Sequence, residues 1–240
     1  QTCALPILDK PGEKISVETP LHTKGQVMPY VSRGGLKLEK ALNVFAINVQ
    51  GKTMLDIGSS TGGFTDVALQ NGARLSYALD VGYNQLAWKI RQDERVVVME
   101  RTNFRYSKPE DFTEGVPDIA TIDVSFISLR LILPPLHDIL KKGGSVVALI
   151  KPQFEAGKEF VGKKGIVRDP ETHQMVVEEI TRFAMNNGYD VKNLDFSPIT
   201  GGEGNIEFLA HLVSVEGEGS YQAPESIEEV VAHAHQKLAE

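Results

Sequence analysis

The sequence predicts an α/β fold, a mostly parallel sheet of seven strands with helices on both faces. Three observations carry that prediction. From residue 53 onward, short apolar runs alternate with segments whose apolar residues recur at helical spacing. The runs are continuously apolar, as in Val146–Ile150, which is the pattern of strands covered on both sides. A glycine-rich turn stands where the first strand gives way to the next helix, the ligand-loop position of doubly wound sheets. At 240 residues, 41% hydrophobic and 24% charged, the chain has the size and composition of one good-sized globular domain plus an appendage.

Residues 1–28 mix Pro6, Pro11, Gly12, Pro20 and Gly25 with β-branched pieces such as Ile15–Val17. They predict a hairpin or linker too small to bury its own core. Leu38, Ala41, Leu42 and Phe45 then mark a first amphipathic helix, with Arg33, Lys37 and Lys40 together on its opposite face. Strands are expected at Thr53–Ile57, Leu75–Leu79, Val96–Glu100, Ile119–Asp123, Ser145–Ile150, Val191–Phe196 and Ile206–Leu212. Helices are expected at Gly63–Asn71, Tyr83–Asp93 and Leu129–Leu140. A longer one is capped by Asp169, opened by Pro170 and closed by Asn187-Gly188. A weak helical stretch near Ser226–Lys237 lies in the tail, residues 214–240.

The longest apolar run is far short of the roughly 18 residues of a membrane span. Cys3 is the single cysteine, which excludes an intrachain disulfide and a cysteine-cluster zinc site. With no secretory signal at the start, although the chain opens at Gln1 rather than Met, a cytoplasmic address is expected. The net charge of −7 disfavours a nucleic-acid partner only superficially. Glu216, Glu218, Glu225, Glu228, Glu229 and Glu240 against Lys237 concentrate most of it in the tail, and local basic patches decide whether a phosphate backbone docks.

The turn after the first strand reads Asp56-Ile57-Gly58-Ser59-Ser60-Thr61-Gly62-Gly63-Phe64. A dinucleotide loop fitted to Gly58, Ser60 and Gly63 puts a serine side chain where the pyrophosphate must pass. The alternative, D-x-G-x-x-x-G on Asp56, Gly58 and Gly62, needs no phosphate, and its strand-end carboxylate suits the cationic amino-acid end of S-adenosylmethionine. Asp80 ends the second strand, where an acid binds both ribose hydroxyls. Ribose recognition alone fits NAD equally; the loop favours S-adenosylmethionine.

Seven ordered segments resemble the TlyA (hemolysin A-like) family of FtsJ-like rRNA ribose methyltransferases. They are Tyr30–Leu38, Asp56–Phe64, Asp80–Tyr83, Glu100–Asn103, Ile122–Ser128, Lys151–Glu155 and Gly204–Phe208. The resemblance covers about residues 10–213. It implies a Rossmann-like, seven-stranded S-adenosylmethionine-dependent methyltransferase domain over 29–213, acting on the 2′-hydroxyl of cytidines in ribosomal RNA. It also implies an N-terminal RNA-binding module, of which 1–28 would be the remnant, with its last hairpin around Asp9–Gly25. By the same resemblance Asp56, Gly58, Ser59, Ser60, Gly62, Gly63, Phe64, Asp80 and Asp123 belong to the cofactor site, and Thr102 and Asn103 contact the adenine edge.

Asp123 and Lys151 end adjacent candidate strands. Pro152 favours an extended Lys151, so both side chains are expected in the crevice that Gly58 faces. On pattern alone they read equally as a solvated strand-end pair, Lys37 as a solvated helix charge and Glu207 as an exposed strand residue. The resemblance makes Lys37, Asp123, Lys151 and Glu207 the catalytic tetrad.

Weaker signals remain. The glycine-containing loop Glu155–Arg168 carries Lys158, Lys163, Lys164 and Arg168 and suits RNA phosphates, or is simply a surface loop. Phe126 is expected to pack inward rather than stack on a base, and Tyr83 and Trp88 to be core residues or to flank the adenosine site. His233 and His235 are expected to be solvated, and no histidine shows trustworthy metal spacing. The expected function is therefore an rRNA 2′-O-methyltransferase with ribosomal RNA or subunits as partner, no stable membrane association and no metal. A membrane-active cytolysin and an NAD-dependent oxidoreductase are the rivals.

Overall fold

The computed structural model describes Lys14, Ser16–Glu18 and residues 27–238. The hairpin expected around Asp9–Gly25 lies almost wholly outside them. Seven strands form one sheet: β1 (Thr53–Ile57), β2 (Leu75–Leu79), β3 (Val96–Met99), β4 (Ile119–Ile122), β5 (Ser145–Ile150), β6 (Tyr189–Phe196) and β7 (Phe208–Ser214), in the order β3-β2-β1-β4-β5-β7-β6. The first five run parallel, while β7 is antiparallel to both β5 and β6. This is a Rossmann-like sheet, with its strand order reversing between β1 and β4. At that reversal the carboxyl ends of neighbouring strands diverge and leave a crevice.

Helix α1 (Gly35–Val44) and α2 (Gly63–Gln70) cover one face, burying Leu38, Ala41, Val67 and Ala68 against Met54, Ile119 and Val147. The other face is covered by α4 (Leu133–Ile139), α6 (Pro170–Asn186) and α7 (Ile227–Leu238), while α5 (Pro152–Glu155) is a single turn after β5. Asp169 caps α6 as expected, its side chain accepting bonds from the Thr172 amide and hydroxyl. The continuous helix expected over Leu129–Leu140 is divided. Pro134 and Pro135 fit only a first helical turn, so a 3₁₀ turn at Leu129–Leu131 precedes α4. The expected Tyr83–Asp93 helix shrinks to one turn, α3 (Trp88–Arg91), because Asn84 takes a positive φ of 56°.

The acidic tail does not hang free. Residues 220–222 run beside β6, with Val191 donating to the Ser220 carbonyl and Gln222 to the Val191 carbonyl. A capping box opens α7: the Ser226 amide donates to Glu229 and the Glu229 amide to the Ser226 hydroxyl. The helix then buries Val230, Val231 and Ala234 in the main core. Among the described residues no helix is long and apolar enough to cross a membrane.

Candidate active site

Two cavities open at the carboxyl ends of the parallel strands and meet at Gly58, Ser60, Asp123, Ser125 and Phe126. The larger, a crevice of about 530 Å³, holds the tetrad. The smaller, a slot of about 280 Å³, lies over the ends of β1 and β2.

The tetrad comes from four distant parts of the chain. Lys37 lies on α1, Asp123 follows β4, Lys151 follows β5 in the extended conformation that Pro152 imposes, and Glu207 precedes β7. Lys37 Nζ stands 2.7 Å from Glu207 Oε2 and 3.4 Å from Asp123 Oδ2. Lys151 Nζ stands 2.5 Å from Asp123 Oδ1 and 4.0 Å from Glu207 Oε1. Two cations and two anions thus alternate around one point, which cancels the net charge. Buried charges survive only when so paired. Lys37, Lys151 and Glu207 are only 7%, 8% and 1% exposed, so pattern-based expectations of a solvated Lys37 and an exposed Glu207 are overturned. Burial works against the Lys37 ammonium, but Asp123 and Glu207 outweigh it and raise its pKa above the ordinary lysine value. Burial likewise works against the Asp123 carboxylate, and the two lysines overcome it to hold its pKa below the ordinary value.

The glycine turn serves this geometry by a route different from the one expected. A Cβ on Gly58, whose φ is 83°, would lie 2.4 Å from the Asp123 carbonyl oxygen, so only glycine lets the β1 and β4 ends approach. A Cβ on Gly63 would lie 2.4 Å from Ser32 Oγ and 2.9 Å from the Gly35 nitrogen. Its absence seats α2 against the start of α1 and so locates Lys37. Gly62 faces Leu86 and Ile90 rather than either cavity. Ser59 and Phe64, both buried, line the crevice floor.

Asp56 is the main correction. Its carboxylate is fully buried beneath the turn, accepting bonds from the Thr65 amide and hydroxyl and the Thr121 hydroxyl, and it reaches neither cavity. Burial pushes its pKa up to about 7, against the lowering effect of those bonds. The acid that does face the slot is Asp80. Its oxygens accept the Ser60 amide at 2.8 Å and the Gly82 amide at 2.7 Å, each keeping acceptor capacity for a ligand hydroxyl. Leu79, Val81, Phe104 and Ile132 supply apolar walls, and Thr102 and Asn103 supply polar groups at the far end.

Other expectations also change. Phe126 is 91% exposed at a φ of 63°, with its ring 4.9 Å from that of Phe154, so it does not pack inward. Tyr83 and Trp88 are 62% and 69% exposed and are not core residues. Four of the non-glycine residues with positive φ, Ser60, Phe126, Lys164 and Glu203, line the crevice, a concentration of backbone strain typical of functional sites. Sequence reasoning gave no role to Gln153 or Glu155. Gln153 Nε2 donates to Glu207 Oε1 at 3.0 Å, and its own Oε1 is buried without a partner among the described residues. Glu155 accepts the Ser128 hydroxyl at 2.6 Å and the Leu129 amide at 2.8 Å, pinning the loop after Asp123. Both residues sit in the segment Lys151–Glu155, whose polar character was the available signal.

A Rossmann-like sheet of this strand order, with Asp80 facing the slot and a Lys-Asp-Lys-Glu cluster in the crevice, defines a class, the methyltransferases. The chain belongs to the FtsJ-like methyltransferase family, whose model matches residues 30–213. It is 65% identical over 235 residues to the "Putative rRNA methyltransferase YqxC" of Bacillus subtilis, covering 97% of this chain and 84% of that one. It is 46% identical over 183 residues to the 16S/23S rRNA (cytidine-2′-O)-methyltransferase TlyA of Mycobacterium tuberculosis, covering 76% and 68% of the two chains. Hemolysin A of Brachyspira hyodysenteriae is also 46% identical, over 78% of each chain. Among solved structures, "Putative hemolysin from Streptococcus thermophilus" superposes with a TM-score of 0.86 at 62% identity, covering 89% of this chain and 77% of that one. An S-adenosylmethionine-dependent methyltransferase from Mesorhizobium loti shares the fold at 15% identity and a TM-score of 0.54, over 72% and 96% of the two chains.

Proposed function

We propose that the protein transfers a methyl group from S-adenosylmethionine to a ribose 2′-hydroxyl of cytidine in ribosomal RNA. The observation that carries this reading is the charge-balanced tetrad in the crevice, whose Asp123 also lines the adjoining slot. The slot fits the cofactor by its chemistry. Asp80 offers acceptors to two ribose hydroxyls, the apolar walls suit an adenine face, and Thr102 and Asn103 suit its polar edge. Family membership and the printed activities of the relatives support the same substrate.

When bound, the cofactor supplies an electrophilic methyl on a sulfonium. The bond formed is O2′–C, the bond broken is C–S, and the proton on O2′ must leave. Asp123 and Glu207 favour Lys37 as an ammonium, and the two lysines favour Asp123 as a carboxylate, so this pair supplies fixed charges beside the reacting oxygen. Lys151, 2.5 Å from Asp123, steers the hydroxyl into line and stabilises the developing alkoxide, and the O2′ proton passes to solvent water in the open crevice as the O2′–C bond forms. Glu207, fixed by Lys37 and Gln153, accepts from the ribose side. Phe126 presents an exposed ring at the rim, where a splayed base can stack. The deciding experiment supplies labelled cofactor with intact ribosomal subunits and maps the modified ribose. Label at a 2′-oxygen of cytidine is expected, and label confined to a base or to protein would overturn the proposal.

A further inference from the structure

The loops that bound the crevice on its substrate side are tied to the C-terminal helix by one buried polar chain. Lys164 and Gly165 line the crevice from the basic loop, and Gly201, Gly202 and Glu203 line it from the loop before Glu207. Asn205, 4% exposed, joins the two: its Oδ1 accepts the Val167 amide at 3.1 Å, and its Nδ2 donates to the Gly165 and Gly202 carbonyls at 3.1 and 3.0 Å. Its carbonyl also accepts the Gly201 amide, and Gly201 lies so close to the Glu207 carboxylate that a Cβ there would be 2.2 Å from Oε1. On the far side of Val167, its carbonyl accepts from His173 Nε2 at 3.0 Å. That bond fixes the neutral tautomer with the proton on Nε2. His173 Nδ1 is then an acceptor, and His235 Nε2 on α7 donates to it at 2.8 Å.

His173 is 1% exposed, with its ring edge-on to Phe208. Burying two polar side chains is costly unless every donor and acceptor is satisfied, and here each ring nitrogen and each amide group has its partner. A network so completed holds one loop geometry against alternatives. The exposed apex, Lys158–Lys164, would otherwise have only buried Ile166 and Val167 to anchor its C-terminal side. The cations of the loop Glu155–Arg168, Lys158, Lys163, Lys164 and Arg168, form no ion pair among the described residues, which leaves them available to an anionic substrate.

We propose that His173 and Asn205 are positioning residues, and that the C-terminal helix, acting through His235 and His173, holds the basic loop and the Glu207 loop in the geometry that receives substrate. The proposal rests on the rRNA methyltransferase reading for its activity arm only. Cofactor affinity is expected to be spared, because the slot is built from the opposite half of the sheet.

The test compares full-length His173→Phe, which keeps the ring packing and loses both bonds, with His173→Gln, whose amide can still donate to Val167. His235→Ala, on the helix surface, serves as the variant least able to disturb folding. Trypsin cleavage within Lys158–Lys164 should accelerate about tenfold in His173→Phe, less in His235→Ala, and return toward wild type in His173→Gln. KM for ribosomal subunits should rise about tenfold in His173→Phe, with S-adenosylmethionine affinity within about twofold of wild type. Wild-type cleavage rates in both His173→Phe and His235→Ala would overturn the proposal, as would faster cleavage accompanied by an equal loss of cofactor affinity. If wild-type protein methylates no ribosomal substrate, the functional reading fails, and the cleavage rates still decide whether the helix holds the loop.

Discussion

The slot and the crevice share Gly58, Ser60, Asp123, Ser125 and Phe126 on a common wall, yet they are assembled in opposite ways. The slot is drawn largely from successive strand-end turns, at residues 57–60, 79–85, 102–104 and 123–127, and its walls are mostly apolar. The crevice gathers charges from residues 37, 123, 151 and 207, with three of its four side chains nearly sealed from water. Binding can therefore be supplied by local turns, while the reacting geometry depends on how distant elements pack. The same contrast appears between two acids: Asp56 and Asp80 end neighbouring strands, but one is enclosed by Thr65 and Thr121 and the other faces the slot.

The sharpest way to break this division is Lys151→Ala. It should bind S-adenosylmethionine almost normally and lose at least ~100-fold in methyl transfer, the scale of positioned electrostatic help. Lys151→Arg should be nearly as damaged, since a guanidinium is larger and planar. Labelled-cofactor assays on ribosomal subunits, beside calorimetry for binding, check both, and near-wild-type turnover of Lys151→Ala would dissolve the tetrad assignment.

On the slot side, Asp80→Ala should weaken cofactor binding by about 1–3 kcal/mol, the range for losing hydrogen bonds to a charged group. Unchanged affinity in a folded variant would remove Asp80 from the ribose role. Asp56→Asn should leave that affinity unchanged, because the carboxylate touches no cavity.

Asp56→Asn should nevertheless alter the pH dependence of stability. The folded pKa of Asp56, about 7, lies above the ordinary value of 3.8, so its contribution is fully present below pH 3.8, is lost progressively as pH rises, and is gone above about 7. Thermal melts at pH 5 and pH 8 should show wild type losing stability over that interval relative to Asp56→Asn. Parallel profiles would mean that Asp56 carries no folding-linked proton.

The smallest expected effect is on the acid side. Burial, then the neighbouring His235, lowers His173 to about 4, while the Val167 carbonyl and Asp169 oppose the shift. A histidine depressed below its ordinary value of 6.5 contributes stability above that pH and loses it as pH falls toward 4. Melts between pH 7 and 4 should therefore decline less steeply in His173→Gln than in wild type, and an unchanged slope would contradict the assignment.

Sequence alone determined the alternation of strands and helices, the Asp169 cap, the glycine turn after β1 and the acid ending β2. Those features depend on near neighbours: apolar period, capping chemistry and the φ freedom of glycine. Lys37 and Glu207 acquired catalytic weight only through family resemblance, because a lone lysine on a helix and a lone glutamate beside a strand carry no local mark of burial. Tertiary structure decided their burial, by bringing α1 and the start of β7 together over β4 and β5. It also turned Asp56 inward, exposed Phe126 and Trp88, and drew the acidic tail into the core through Val230, Val231 and Ala234. Each outcome depends on a partner far along the chain, and periodicity within a single segment cannot report what will pack against it.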